Sequence, residues 1–199
     1  MHPGARTGAL LLALTLAWLP LSAGAEARER EGTVAILPAA RLARGPAGVE
    51  NGGAAPAMVL AFGFKPTASS EVGIDVGATA LGVRANDGRY DVVGVPILLR
   101  GSWSPAPRWD VRPVLHAGLG KELVLVYGPG DVYREHTPLA LMAAAGIAAD
   151  LSNEIGLSAD LGYLYGRADD PGLGRLDGGG GFIRAGVYFR WDPVQRLGR

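Results

Sequence analysis

The sequence predicts an all-β chain: a single eight-stranded antiparallel up-and-down transmembrane β-barrel, with short turns at one end and longer loops at the other. Three observations lead there. Segment after segment alternates apolar residues with small or polar ones at period two. The connections between segments alternate between short and long. The charges inside the segments fall on the face opposite the large apolar side chains. Alternating segments of about ten residues are what a strand needs to show one face to lipid and the other to an interior.

The first element is a targeting segment. Arg6 gives a positive start, Ala9–Leu19 is an apolar run, Pro20 ends it, and Ala23-Gly24-Ala25 is a small-residue cleavage site ahead of Glu26. This order reads as a secretory signal over residues 1–25, leaving 26–199 as the barrel domain. An uncleaved anchor is the alternative, but the run is shorter than the ~20 residues a spanning helix needs. No cysteine is present, so a lipoprotein anchor, a disulfide scaffold, thiolate metal sites and a Cys nucleophile are all excluded.

The strands follow in order. Segment 32–42 places Val34, Ile36, Pro38, Ala40 and Leu42 on one face, and 57–65 places Met58, Leu60, Phe62 and Phe64. Segment 71–80 sets Val72, Ile74 and Val76 against Glu71, Gly73 and Asp75. Segment 91–103 carries Val93, Val95, Ile97, Leu99 and Trp103. Segment 109–120 sets Trp109, Val111, Leu115 and Leu119 against Asp110, Arg112 and His116. Segment 138–151 carries Leu139, Leu141, Ile147 and Leu151. The clearest, 153–165, sets Ile155, Leu157, Leu161, Tyr163 and Tyr165 against Glu154, Gly156 and Asp160. Segment 181–191 sets Ile183, Val187, Phe189 and Trp191 against Arg184, Tyr188 and Arg190. Pro66–Ser70, Ser104–Arg108 and Leu151–Ser152 are short turns; Ala43–Pro56, Val83–Arg89, Gly128–Thr137 and Arg167–Gly179 are longer loops. An even strand number closes the sheet and leaves no unpaired edge in lipid.

Composition agrees. Of 199 residues 31 are Gly, 48% are hydrophobic and 19% charged, with 19 basic and 19 acidic side chains. Zero net charge argues against a nucleic-acid partner, which calls for a basic face. If the large apolar side chains define the outside, the strand charges Arg41, Lys65, Glu71, Asp75, Arg100, Asp110, Arg112, Asp150, Glu154, Asp160, Arg184 and Arg190 point inward. Lys121 lies on the outer parity, but far enough along its strand to clear the bilayer. A soluble sandwich or lipocalin-like barrel shares the alternation with the faces inverted. Aromatic position favours lipid: Phe62, Phe64, Trp103, Trp109 and Trp191 gather at the short-turn end, and Tyr127, Tyr163 and Tyr165 at the long-loop end, as two interfacial girdles.

Two stretches carry a family resemblance. Arg112-Pro113-Val114-Leu115-His116-Ala117-Gly118-Leu119-Gly120 resembles the run after the middle short turn of the small OmpA-like and OmpW-like outer-membrane barrels, with Val114 where a Tyr is usual. Gly186-Val187-Tyr188-Phe189-Arg190-Trp191 resembles their final strand, although the tail 192–199 follows the terminal aromatic. The resemblance implies the bacterial outer membrane as location, outer-membrane lipid and the barrel assembly machinery as partners, and an extracellular ligand met through the loops. It implies no single activity, because these barrels include channels, adhesins, anchors and lipid-modifying enzymes.

Site chemistry is sparse. Gly118–Glu122 lacks the first glycine and the Ser/Thr of a phosphate loop. Asp169, Asp170 and Asp177 fit no calcium-loop spacing and read as a solvated loop. His116 faces the lumen with no Ser or Asp in a nearby motif, so no enzyme, metal or cofactor is expected. Within the last hairpin, Asp160 with Arg184 and Glu154 with Arg190 share an index sum of 344, and one register sets both acids opposite both bases. Two roles stay open: a structural or interaction barrel whose lumen is plugged by salt bridges, and a narrow porin-like passage for small or hydrophobic solutes. Lipid modification is the third.

Overall fold

The strands form as the alternation dictates, and the computed structural model describes residues 31–43, 53–85, 88–130, 132–171, 173–176 and 179–191. The expected signal segment 1–25, Asp177 and the tail 192–199 lie outside the described residues. The elements are β1 (Glu31–Ala43), β2 (Gly53–Thr67), β3 (Ser70–Ala85), β4 (Gly88–Trp103), β5 (Val111–Gly128), β6 (Val132–His136), β7 (Leu139–Asp150), β8 (Ile155–Gly166), β9 (Ala168–Asp170), β10 (Gly174–Leu176) and β11 (Gly180–Trp191).

The long strands β1, β2, β3, β4, β5, β7, β8 and β11 pair antiparallel in that order, and β1 pairs with β11 from Gly32↔Trp191 to Ala43↔Gly180, which closes the sheet. β6 pairs with β5 beyond the point where β7 leaves it, so β6 and β7 form one stave interrupted at Thr137-Pro138. Eight staves result, with the ends of β1 and β11 at the short-turn end. Pro138 has no N–H to give, but its carbonyl accepts from Glu122 N at 3.0 Å and holds the break against β5.

The long-loop end differs from the expectation in three places. Val83–Arg89 is not an open loop: β3 and β4 stay paired to Ala85↔Gly88, with Gly88 at φ 144°, a conformation open to glycine. Gly128–Thr137 is mostly the β5–β6 hairpin, turning at Gly130 with φ 68°. Arg167–Gly179 contains its own small hairpin, β9–β10. Gly, Pro and Asp mark where a chain can reverse, but not how far the strands run before it does.

The faces fall as the alternation predicts. Ile36, Leu60, Phe62, Ile74, Leu99, Leu119, Ile147, Leu161 and Ile183 are exposed, whereas Arg41, Asp75, Arg100, Arg112, Asp160 and Arg184 are buried. Leu99 and Leu161 are each 67% exposed. An apolar wall around a charged interior inverts a soluble protein, and lipid is the solvent that suits it. The interior has its own apolar layers. Leu98, Ala140, Met142, Leu164 and Phe182 pack at mid-barrel, and Tyr90, Val124, Val126, Ala168, Leu173 and Leu176 pack under the β9–β10 hairpin.

Candidate functional site: the lumen

Three polar layers cross the barrel. Nearest the short turns, Asp150 takes Arg112 Nη1 at 2.8 Å and Arg190 Nη1 at 3.0 Å. The Tyr188 hydroxyl accepts from Arg112 Nη2 at 2.8 Å and donates to Asp150. Both guanidiniums lie over the Tyr188 ring, at 5.9 and 5.7 Å from its centroid. Lys65 and Glu31 pair at 3.4 Å beside them.

The second layer is a continuous chain of ion pairs. Arg100 reaches Glu71 Oε1 and Asp75 Oδ1, both at 2.7 Å. Arg184 reaches Asp75 Oδ2 at 2.9 Å and Asp160 Oδ2 at 2.8 Å. His116 Nε2 lies 3.1 Å from Asp160 Oδ1, and its Nδ1 lies 2.8 Å from Ser102 Oγ. Charges this buried persist because each has a partner at contact distance.

Above the mid-barrel apolar layer, Arg41 Nη1 donates to Glu122 Oε1 at 2.7 Å. At the long-loop end Asp170 accepts from Arg134 Nη1 at 2.5 Å and from the Leu173 N–H at 2.8 Å, with His136 Nε2 at 2.9 Å. These bonds tie the β9–β10 hairpin to β6 over the barrel mouth.

The expected lumen charges Glu71, Asp75, Arg100, Arg112, Asp150, Asp160, Arg184 and Arg190 are all found in these layers. Two expectations are corrected. Asp110 lies in the turn before β5 and Glu154 in the turn before β8, and both are exposed. The register Arg184↔Asp160 does carry through to a backbone bond from Arg190 N to Glu154 O at 2.8 Å. However, the Arg190 side chain turns to Asp150 and to Ser152 O at 2.6 Å, because Glu154 already stands outside the wall. Asp170 is corrected as well: its side chain is wholly buried, not solvated.

Sequence reasoning passed over Glu122, whose side chain is 1% exposed. It shares the parity of Arg112 and His116, so carrying the alternation two residues past 120 finds it. Of the constellation around His116, Ser102 is its direct partner across the β4–β5 hairpin, whereas Asp160 comes from β8 and has no local signal.

The outer aromatics stand on the wall at both ends. Phe62, Phe64, Trp103, Trp109, Tyr127, Tyr163, Tyr165 and Trp191 are all exposed, Trp109 from the turn itself. The Trp191 ring lies across Gly32, where any side chain would overlap it. Tyr133, unforeseen, joins Tyr127 with ring centroids 5.5 Å apart.

Two cavities lie in the lumen among the described residues. One of about 100 Å³ lies at the short-turn end, bounded by Lys65, Ser102, Ser104, His116 and Asp160. The other, about 50 Å³, lies higher, beside Arg41, Met142 and Phe182. Arg184 borders both and stands between them.

No protein-family model matches the chain, and no curated protein matches it. Solved structures do. The outer membrane protein OprG from Pseudomonas aeruginosa aligns with a TM-score of 0.58 at 12% identity, over 84% of this chain and 98% of that one. Ail, the attachment invasion locus protein of Yersinia pestis, solved with the heparin analogue sucrose octasulfate, aligns at 0.57 and 13%, over 82% and 100%. Neisserial surface protein A aligns at 0.56 and 12%, over 84% and 99%. The chain has the fold of the small eight-stranded outer-membrane barrels.

Proposed function

We propose that this protein is a bacterial outer-membrane barrel of the structural or interaction kind, closed within and meeting its surroundings through its wall and its long-loop end. The observation that carries the reading is Arg184, which bridges Asp75 and Asp160 across the lumen at 2.9 and 2.8 Å. A second closure, Arg41 on Glu122, lies above it. An ion passing through would have to part both pairs, and each parted charge would stand unpaired in a low-dielectric interior. The partners this reading names are outer-membrane lipid around the apolar belt, the barrel assembly machinery for the strand ending at Trp191, and an extracellular ligand at the loops. Planar-bilayer recording of the refolded protein tests it. Silent membranes are expected from samples whose gel mobility is heat-modifiable. Sustained unit conductance would instead make it a narrow passage for small solutes. Recovery as a soluble periplasmic protein would remove the membrane reading itself.

A further inference from the structure

We infer that the cavity at the short-turn end of the lumen is a hydrolytic site for small water-borne esters, with Ser102 as nucleophile, His116 as general base and Asp160 as the positioning carboxylate. This goes beyond the structural reading and leaves the barrel closed above the site.

With a neutral His116 ring, the contacts set the proton polarity of the chain. The Asp160 carboxylate can only accept, so His116 Nε2, 3.1 Å from Oδ1, carries the ring proton. In the neutral ring Nδ1 is then an acceptor, and Ser102 Oγ, 2.8 Å away, must donate to it. The guanidinium of Arg100 has only donors, and its Nη1 is hydrogen-bonded to the same Oγ, whose lone pair accepts. The serine is thus oriented with its proton on a base, its oxygen beside a fixed positive charge, and the base held by a carboxylate that Arg184 also grips at 2.8 Å. Nucleophile on base and base on orienting group is the arrangement that covalent hydrolysis requires.

The cavity supplies the rest. It borders all three residues and reaches the turns at Ser69 and Ser104, so a solute can enter from the short-turn side. Its 100 Å³ gives room for a small solute beside the three residues. Two donors on its wall have spare capacity for a developing oxyanion. The buried Ser104 hydroxyl has no hydrogen-bond partner, and Lys65 Nζ makes one long bond of 3.4 Å.

The reaction balances without a co-reactant other than water. Ser102 Oγ attacks the ester carbonyl carbon as its proton passes to His116 Nδ1. The tetrahedral adduct expels the alkoxide, which takes that proton and leaves as the alcohol. Water then attacks the acyl-Ser102 carbonyl and gives a proton to Nδ1, which returns it to the departing Ser102 oxygen, and the carboxylic acid is released.

The test uses the refolded full-length barrel in detergent or lipid, with p-nitrophenyl acetate as substrate and methanesulfonyl fluoride as probe. Turnover is expected, with acetyl and sulfonyl adducts mapped by mass spectrometry to the peptide containing Ser102. Ser102→Ala, which removes one oxygen and keeps the fold by gel mobility, should lose both adducts and lower the rate by about 10²-fold or more. His116→Gln should do the same, and if it does not refold, Ser102→Ala decides alone. Asp160→Asn should lower kcat with KM unchanged, a split that general loosening of the plug would not give. Unchanged turnover in Ser102→Ala, or no turnover and no adduct in the native protein, would overturn the inference.

Discussion

Arg184 faces Asp160 across the β8–β11 pair and donates to it from Nε at 2.8 Å, while its Nη1 reaches Asp75 on β3 at 2.9 Å. One side chain therefore ties adjacent staves together and also spans the lumen. Removing it by Arg184→Ala leaves two buried carboxylates short of a partner, and breaking such a pair from one side costs ~3–5 kcal/mol. A double-mutant cycle on Asp160 and Arg184, read by urea unfolding from lipid vesicles, should give a coupling energy well above ~0.5 kcal/mol. Additive single mutants would deny that the pair pins the register.

The wall and the lumen should respond differently to substitutions one residue apart. Leu157, the third residue of β8, is exposed on the outer face, and Leu157→Arg should cost ~1–3 kcal/mol in lipid. Gly156, its neighbour, points inward, where a methyl would overlap the Tyr188 ring and approach Ala149 O at 2.7 Å. Gly156→Ala should therefore cost ~1–3 kcal/mol by overpacking. Gly101 has open space at its Cβ position, so Gly101→Ala is the matched control and should stay within ~0.5 kcal/mol. Harmless Leu157→Arg in lipid would mean that the outer face is misassigned.

Glu122 and Arg41 form a closure with little help around them. Arg41 Nε has no partner, so Glu122 is its main compensation. Glu122→Ala should cost ~3–5 kcal/mol, and the double variant Glu122→Ala/Arg41→Met should recover part of it, because it removes the stranded guanidinium and leaves an apolar side chain beside the Leu98 and Phe182 layer. Equilibrium unfolding of the three proteins checks this, and a double variant less stable than Glu122→Ala would be the contrary result.

What the sequence conveyed, and what it did not, follows from the range of each signal. Alternation is local, so the face of Leu157, Asp75 or Arg184 can be read from its neighbours alone. The register of the last hairpin could be found too, because opposite charges on one face admit few offsets. Glu154 was misplaced because parity carries no information on where a strand stops and a turn begins. Ser102 and His116 are partners across the β4–β5 hairpin, within reach of the same register arithmetic, but Asp160 joins them from β8, two staves from β5, and no local pattern points to it. Asp170 looked solvated because a Gly- and Asp-rich stretch gives no hint that it folds back over the mouth.

That fold-back can be tested directly. Asp170 is buried and accepts from Arg134 at 2.5 Å and from the Leu173 N–H at 2.8 Å, with His136 at 2.9 Å. Leu173 and Leu176 pack with Val124 and Val126 beneath the hairpin. The apolar contacts keep the hairpin down, but the carboxylate is what links it to β6. Asp170→Ala strands a guanidinium and a backbone N–H, and lost hydrogen bonds to a charged group are worth ~1.5–3 kcal/mol. If opening is fast relative to cleavage, proteolysis tracks the open population. Trypsin should then cut at Arg167 or Arg175 roughly 10- to 100-fold faster, in proportion to that energy, while the barrel keeps its heat-modifiable mobility. Asp170→Asn retains an acceptor for the Leu173 N–H and should fall between the two. Equal cleavage rates in all three proteins would show that apolar packing alone holds the cap and that Asp170 is incidental to it.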